Sequence, residues 1–240
     1  MGTIQGIDVS KHQGTIDWLK VKASGKVDFA LLRAGYGEGH KDVQFERNYL
    51  ECKKLGIPVG VYWYNYATDA AGALREAKTF ETALQGKQFE LPVFYDIEEN
   101  ATFFSNRAKE IAETFCSYIE SKGYYTGVYS STSSFNSYLS GITARWCGWC
   151  ADWRNKCYYT QPYVIWQKSS TGRVDGIIGF VDLDEFADDG AFETIQHVVH
   201  ERGLNGYTRA DAPVAEQKEA VKHKLEVLLD GVVVFTKEVE

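Results

Sequence analysis

No stretch of this 240-residue chain comes near the roughly 20 consecutive apolar residues that a membrane span requires, so no spanning helix is expected. The opening Met1-Gly2-Thr3-Ile4-Gln5-Gly6-Ile7 lacks the basic start and apolar run of a secretion signal. Positive charge is in short supply: 26 Lys and Arg stand against 33 Asp and Glu, a net charge of −7. A phosphate polyanion wants a basic face, so nucleic acid is not an expected partner. Cysteine is present in an odd number, five, which rules out a fully paired disulfide framework within one chain. Cys147, Cys150 and Cys157 resemble a metal knuckle, but no fourth Cys or His lies nearby to complete a structural zinc site. Buried free thiols are the expectation, with no metal and no cofactor. No GxGxxG follows the first apolar run, which disfavours a dinucleotide fold.

What the chain does have is alternation. Apolar runs rich in Val, Ile, Phe and Tyr recur at Gly6–Val9, Phe29–Ala34, Val59–Tyr66, Leu91–Ile97, Thr126–Ser130, Cys147–Ala151, Val164–Gln167 and Ile178–Leu183. Helical spacing appears between most of them. Ala108, Ile111, Ala112, Phe115 and Ile119 share one face, with Ser105 as the expected N-cap and Gly123 as the stop. Weaker stripes run through Leu74, Ala77, Glu81 and Leu84, and through Phe45, Tyr49, Cys52 and Leu55. Strands alternating with helices predict an α/β fold on a parallel sheet, and their number predicts a closed or nearly closed, irregular (β/α) barrel of the TIM type. An open doubly wound sheet is the alternative.

The expected catalytic domain is residues 1–206. A polar stretch, 207–223, reads as a linker. Residues 224–240 alternate around Asp230-Gly231, a strong hairpin signal. A lone hairpin is marginal in water, so it is expected to belong to a further C-terminal module or to support self-association with another copy.

The segment Leu91-Pro92-Val93-Phe94-Tyr95-Asp96-Ile97-Glu98-Glu99-Asn100 is an apolar strand that ends abruptly in acids. Residues two apart share a face, so Asp96 and Glu98 point together from the strand's C-terminal end, where barrel enzymes keep their catalytic groups. Asp8 ends the first strand, and Asp182 and Asp184 lie at the end of the last, which neighbours the first in a barrel. Converging carboxylates raise at least one pKa and so make a general acid usable near neutral pH. Such clusters serve hard metals or glycoside hydrolysis. The abundance of aromatics, six Trp and fifteen Tyr, tips the balance towards sugar, because flat rings cover pyranose faces. Candidates at or near strand ends are Tyr36, Tyr62, Tyr64, Tyr129, Trp149, Trp153 and Trp166, with Trp63 facing away from Tyr62 and Tyr64.

Taken in order, several short motifs resemble the glycoside hydrolase family 25 lysozymes, the Chalaropsis-type muramidases of phage endolysins and bacteria, over about residues 4–203. They are Gly6-Ile7-Asp8-Val9-Ser10, Gly56-Ile57-Pro58-Val59-Gly60-Val61-Tyr62, Asp96-Ile97-Glu98, Gly127-Val128-Tyr129-Ser130, Trp149-Cys150-Ala151-Asp152-Trp153, Trp166-Gln167 and Val181-Asp182-Leu183-Asp184. The resemblance implies cofactor-free hydrolysis of the β-1,4 bond between N-acetylmuramic acid and N-acetylglucosamine in bacterial peptidoglycan. It implies Glu98 as general acid, with Asp8, Asp96 and Asp182 around it. Tyr36, Tyr62, Tyr64, Tyr129, Trp153, Trp166 and Gln167 are the expected substrate-binding residues. It also implies action at the cell wall, reached by phage- or prophage-type release or another route that needs no visible signal. Two positions depart from the family pattern: Trp63 stands where many relatives carry His, and Asp184 where relatives often carry Asn. Asp96 as nucleophile, Asp96 activating water, and attack by the substrate's own acetamido group all remain open.

Two rival readings are a non-catalytic glycan-binding barrel and a metal-dependent polysaccharide deacetylase. The deacetylase would want His ligands. Of His12, His40, His197, His200 and His223, the pair His197 and His200 falls on the expected final helix, away from the strand ends, and reads as surface.

Overall fold

Seven of the eight apolar runs become strands whose β-branched and aromatic residues have a buried surface on both sides to fill; of the eighth, Ile178–Leu183, only the part from Val181 is strand, and Ile178 and Phe180 before it are exposed. The computed structural model describes residues 3–209 and two separate strand segments, 227–229 and 232–235. The elements are β1 (Gln5–Val9), α1 (Trp18–Ala23), β2 (Phe29–Tyr36), β3 (His40–Lys41), α2 (Phe45–Lys54), β4 (Val59–Tyr64), α3 (Ala70–Leu84) and β5 (Val93–Asp96). There follow α4 (Asn100–Phe104), α5 (Ala108–Ser121), β6 (Thr126–Ser131), α6 (Thr132–Ser137), β7 (Cys147–Ala151), β8 (Ile165–Gly172), β9 (Val181–Phe186) and α7 (Asp189–Arg202).

The strands run in the order β1-β9-β8-β7-β6-β5-β4-β2, and pairing of β1 with β2 closes the ring. The short β3 is an extra strand, antiparallel to the upper end of β2. Eight strands thus form a closed barrel, as expected, with one correction to the parallel sheet. β9 runs antiparallel to both neighbours, β8 and β1. The β8–β9 connection spans only residues 173–180, too short for the helical crossover that a parallel strand would need.

The two faces of each strand build two cores. Outward residues such as Ala30, Leu32, Val61, Trp63, Val93, Tyr95 and Val128 meet the helices. There Phe80 of α3 stacks on Phe115 of α5 at 5.6 Å, and Phe115 lies flat on Tyr95 at 3.6 Å. Inward residues Phe29, Leu31, Phe94, Trp149, Ile165 and Phe186 fill the lower barrel, and Ile195 and Val199 of α7 close it from below. Gly6 has no alternative here, since a Cβ would lie 2.3 Å from the Phe29 ring.

One expected cap moved. Ser105 ends the extra helix α4 rather than starting α5, whose N-cap is Arg107; the Ser105 hydroxyl still accepts from the Arg107 amide at 3.1 Å. At the far end of the body, Asn205 donates to the carbonyls of Phe89 and Leu91 and accepts from the Tyr125 amide. Tyr207 donates to Glu90 at 2.5 Å. Residues 210–226 lie outside the described residues, and with them most of the expected linker. The strands Val227–Leu229 and Val232–Phe235 pair antiparallel, with Leu229 opposite Val232. The Asp230-Gly231 turn itself is outside the described residues.

Candidate active site

Above the apolar plug the inward positions change character. Going up each strand by two residues, Phe29 and Leu31 give way to Arg33, Phe94 to Asp96, Ile165 to Gln167 and Gly6 to Asp8. The result is a polar ring lining a cleft of about 490 Å³. Asp8, Asp96, Glu98 and Asp182 all border it, as do Tyr62, Tyr64, Tyr129, Trp153 and Gln167. Tyr36 and Trp166 do not. The Tyr36 ring stacks on His40 at 5.1 Å. Trp166 neighbours Gln167 in sequence and therefore faces the other side of β8, where its indole donates to the Asp152 carbonyl at 2.7 Å.

Asp182 reaches this mouth for a different reason than its place in the sequence suggests. It sits near the start of β9, not the end. Because β9 runs downward while its neighbours run up, its first residues are the ones at the rim. Asp182 lies directly opposite Asp8, and Asp184 opposite Gly6, one layer further in.

Glu98 lies just beyond β5. The Ile97 before it is pinned by its amide to the Tyr129 carbonyl at 3.0 Å, while the Ser130 hydroxyl donates to the Ile97 carbonyl at 2.6 Å. That anchor leaves Glu98 solvent-accessible at the rim, whereas Asp96 is almost wholly buried. Desolvation within the cleft raises the Glu98 carboxyl above its ordinary value, and the charges of Glu99 and Asp182 push the same way, against the pull of Tyr64. The Tyr64 hydroxyl donates to Glu99 at 2.7 Å. Burial, then Glu98, raises Asp96, with Arg33 pulling it down. Burial alone brings Asp182 up to about 6. Each of these shifts favours the protonated form of an acid at the mouth.

The aromatic wall is rigid at its base and open at its top. Trp149 is buried and packs against Tyr129 at 4.4 Å, Phe94 at 5.4 Å and Tyr62 at 5.6 Å. Trp153 is 61% exposed, with its indole donating to Gln167 Oε1 at 3.0 Å. The loop carrying Trp153 is held by Asp152, which accepts from Thr132, the Tyr158 amide and Arg154; the Arg154 bonds keep this carboxyl far below its usual range.

Arg33 is the chief residue not singled out beforehand. Its signal was legible: a lone cation two residues beyond Leu31 in an apolar strand, at the end that bears the acids. Its Nε donates to Asp42 at 2.8 Å, and its charge pulls the Asp96 carboxyl down. Ser10, His12, Gln13, Tyr66 and Ser170 also line the cleft and were not expected. Of the His pair on α7, His197 is exposed and bonded to Glu201. His200 is partly exposed, its ring centroid 4.0 Å from that of Tyr207. Among the described residues no group of three or more His, Cys, Asp or Glu is arranged to hold a metal ion. The five thiols are free, and Cys147 and Cys157 are only partly covered.

Comparison with known proteins agrees with this arrangement. Residues 7–177 match the model of the glycosyl hydrolases family 25. Lysozyme M1 of Streptomyces globisporus is 30% identical over 201 residues, covering 76% of this chain and 67% of that protein. The bacterial lysozyme of Streptomyces coelicolor superimposes with a TM-score of 0.69 at 26% identity, over 88% of this chain and all of the other. The modular autolysin LytC of Streptococcus pneumoniae, solved in complex with a synthetic peptidoglycan ligand, gives 0.68 at 28% identity over 78% of this chain; the match spans about half, 48%, of LytC. The family match takes in Asp8, Asp96 and Glu98 of the acid-lined mouth and ends just before β9, which carries Asp182: the chain belongs to glycosyl hydrolase family 25 and is a glycoside hydrolase of the lysozyme type.

Proposed function

We propose that this chain hydrolyses the β-1,4 bond between N-acetylmuramic acid and N-acetylglucosamine in bacterial peptidoglycan, with Glu98 protonating the leaving oxygen. The observation that carries the reading is the contrast between Glu98 and the other acids. It is the accessible carboxyl at the rim, and desolvation, Glu99 and Asp182 favour its protonated form. A general acid must hold its proton at working pH and still reach the substrate oxygen. Asp182, and Asp96 where the Arg33 charge offsets its burial, supply the negative charge that meets the oxocarbenium developing at the sugar carbon. Tyr62, Tyr129 and Trp153 form the wall against which a pyranose packs, and Gln167, held by Tyr129, Trp153 and Asp8, offers a fixed polar edge. No step draws on a cofactor. The site of action is the bacterial cell wall.

The test is mass spectrometry of digested peptidoglycan. New reducing ends on muramic acid are expected from the wild type. Glu98→Gln, folded by circular dichroism, is expected to lose on the order of a hundredfold or more in activity. Reducing ends on glucosamine instead, or near-normal activity of the folded variant, would refute the bond and the acid respectively.

A further inference from the structure

Asp184 takes no part in the chemistry described above, yet it is fully buried at the level just below the catalytic mouth. We propose that Asp184 and Asp8 share one proton, and that through this shared proton Asp184 acts as a positioning residue for the mouth.

The geometry requires an explanation of this kind. Asp8 and Asp184 are diagonal neighbours across the β1–β9 pair, both on its inner face, near enough for each carboxyl to shift the other. Asp184 Oδ1 accepts from the Trp149 indole at 2.8 Å, but Oδ2 is buried with no hydrogen-bond partner among the described residues. Asp8 is nearly as buried, and its Oδ2 accepts from Gln167 Nε2 at 2.8 Å. Two buried carboxyls this near cannot both stay ionised without strong repulsion. A proton between them removes one charge and gives the unpartnered Asp184 Oδ2 a hydrogen bond.

Among the described residues, the cations near the pair are each already held by another carboxylate. The titratable groups around the pair are Asp182 on β9, Arg33 on β2, Tyr62 on β4, Asp96 on β5, Tyr129 on β6 and Lys168 on β8. Arg33 is paired with Asp42, and Lys168 with Glu185 at 2.8 Å and with Gln5. Trp149 and Gln167, the remaining polar neighbours, are uncharged donors already in use. Burial, followed by Asp184 and Asp182, raises Asp8; burial, opposed by Trp149 and Asp8 and helped by the Asp182 charge, brings Asp184 up to about 8.

The shared proton is visible in stability. A carboxyl whose folded value exceeds its unfolded value contributes stability that is complete below about pH 4 and is lost as pH rises through the folded value. For Asp184 that window ends near pH 8. Asp184→Asn keeps a donor facing Asp8 without a titratable proton, so the loss should vanish. Melting temperatures of wild type and Asp184→Asn are therefore compared from about pH 5 to about pH 9. The gap in favour of the variant is expected to widen with pH, and the infrared carbonyl band of one protonated carboxyl to disappear in the variant at neutral pH. A pH-independent gap, or an unchanged band, overturns the shared proton. Should Asp184→Asn fail to fold, Asp8→Asn carries the same two readouts, because it also leaves a single carboxyl.

The positioning role is read separately. Asp184→Ala is expected to lower kcat roughly tenfold or more with KM little changed, the loss of one hydrogen bond to a charged group, and Asp184→Asn to restore most of it. Equal kcat in the two variants overturns that role. The stability and infrared readouts need no substrate, so their failure leaves the Glu98 assignment standing, and failure of that assignment leaves them untouched.

Discussion

Asp42→Ala probes the support on which the site's internal cation rests. Asp42 is 2% exposed; its Oδ2 accepts from Arg33 Nε at 2.8 Å and from the Lys11 amide at 3.0 Å, and its Oδ1 from the Gln44 amide at 2.9 Å. Arg33 is itself 9% exposed, and a terminal guanidinium nitrogen already lacks a hydrogen-bond partner among the described residues. Deleting the carboxylate leaves a buried guanidinium uncompensated, which typically costs about 3–5 kcal/mol. For a body of this size each kcal/mol lowers Tm by about 2–4 °C, so a fall of about 6–20 °C is expected. Denaturant unfolding gives the free energy directly. A double-mutant cycle with Arg33→Met then separates the pair from the two lost amide bonds, and the double variant should lose less than the sum of the singles. A loss below about 1 kcal/mol, the range of exposed ion pairs, would refute the view of Arg33 as a buried charge held in place by Asp42.

Asp182→Asn removes a charge that raises Glu98, so the alkaline limb of the kcat/KM profile is expected to move to lower pH; an unmoved or upward-shifted limb contradicts the coupling. Trp153→Ala should leave Tm nearly unchanged, because the ring is mostly exposed, while raising KM for glycan fragments several-fold, an aromatic contact being worth about 0.5–1.5 kcal/mol. A chain ending after Arg209 keeps the Asn205 and Tyr207 contacts and is proposed to cut soluble fragments as the full chain does. Equal loss on soluble fragments and intact walls would mean that residues 210–240 support the catalytic fold.

Much of the fold lay open in the sequence because strand and helix periods are local. The eight apolar runs needed only their own residues to be recognised, and α5 announced itself through Ala108, Ile111, Phe115 and Ile119. The abrupt passage from Phe94 to Asp96 and Glu98 marked the chemical end of β5 before any contact was known. The two-residue alternation also placed Tyr62 and Tyr64 on the cleft side and Trp63 away from it, where its indole donates to the Gly37 carbonyl at 3.1 Å. The same rule, applied to β8, separates Gln167 in the cleft from Trp166 outside it.

Tertiary structure decided what depends on partners distant in the chain. A strand's direction relative to its neighbours is set by how its connection returns, so only the closed barrel showed that β9 runs downward and brings Asp182 to the rim by its first residues. Whether Arg33 is a solvated cation or a buried one depends on Asp42, nine residues away on the turn after β3. Whether Asp184 is charged depends on meeting Asp8, 176 positions earlier, in a place from which water is excluded. Residue type and spacing determine which acids a strand end carries. How many of them stay ionised is set by desolvation and by the neighbours across the barrel, and both arise only when the ring closes.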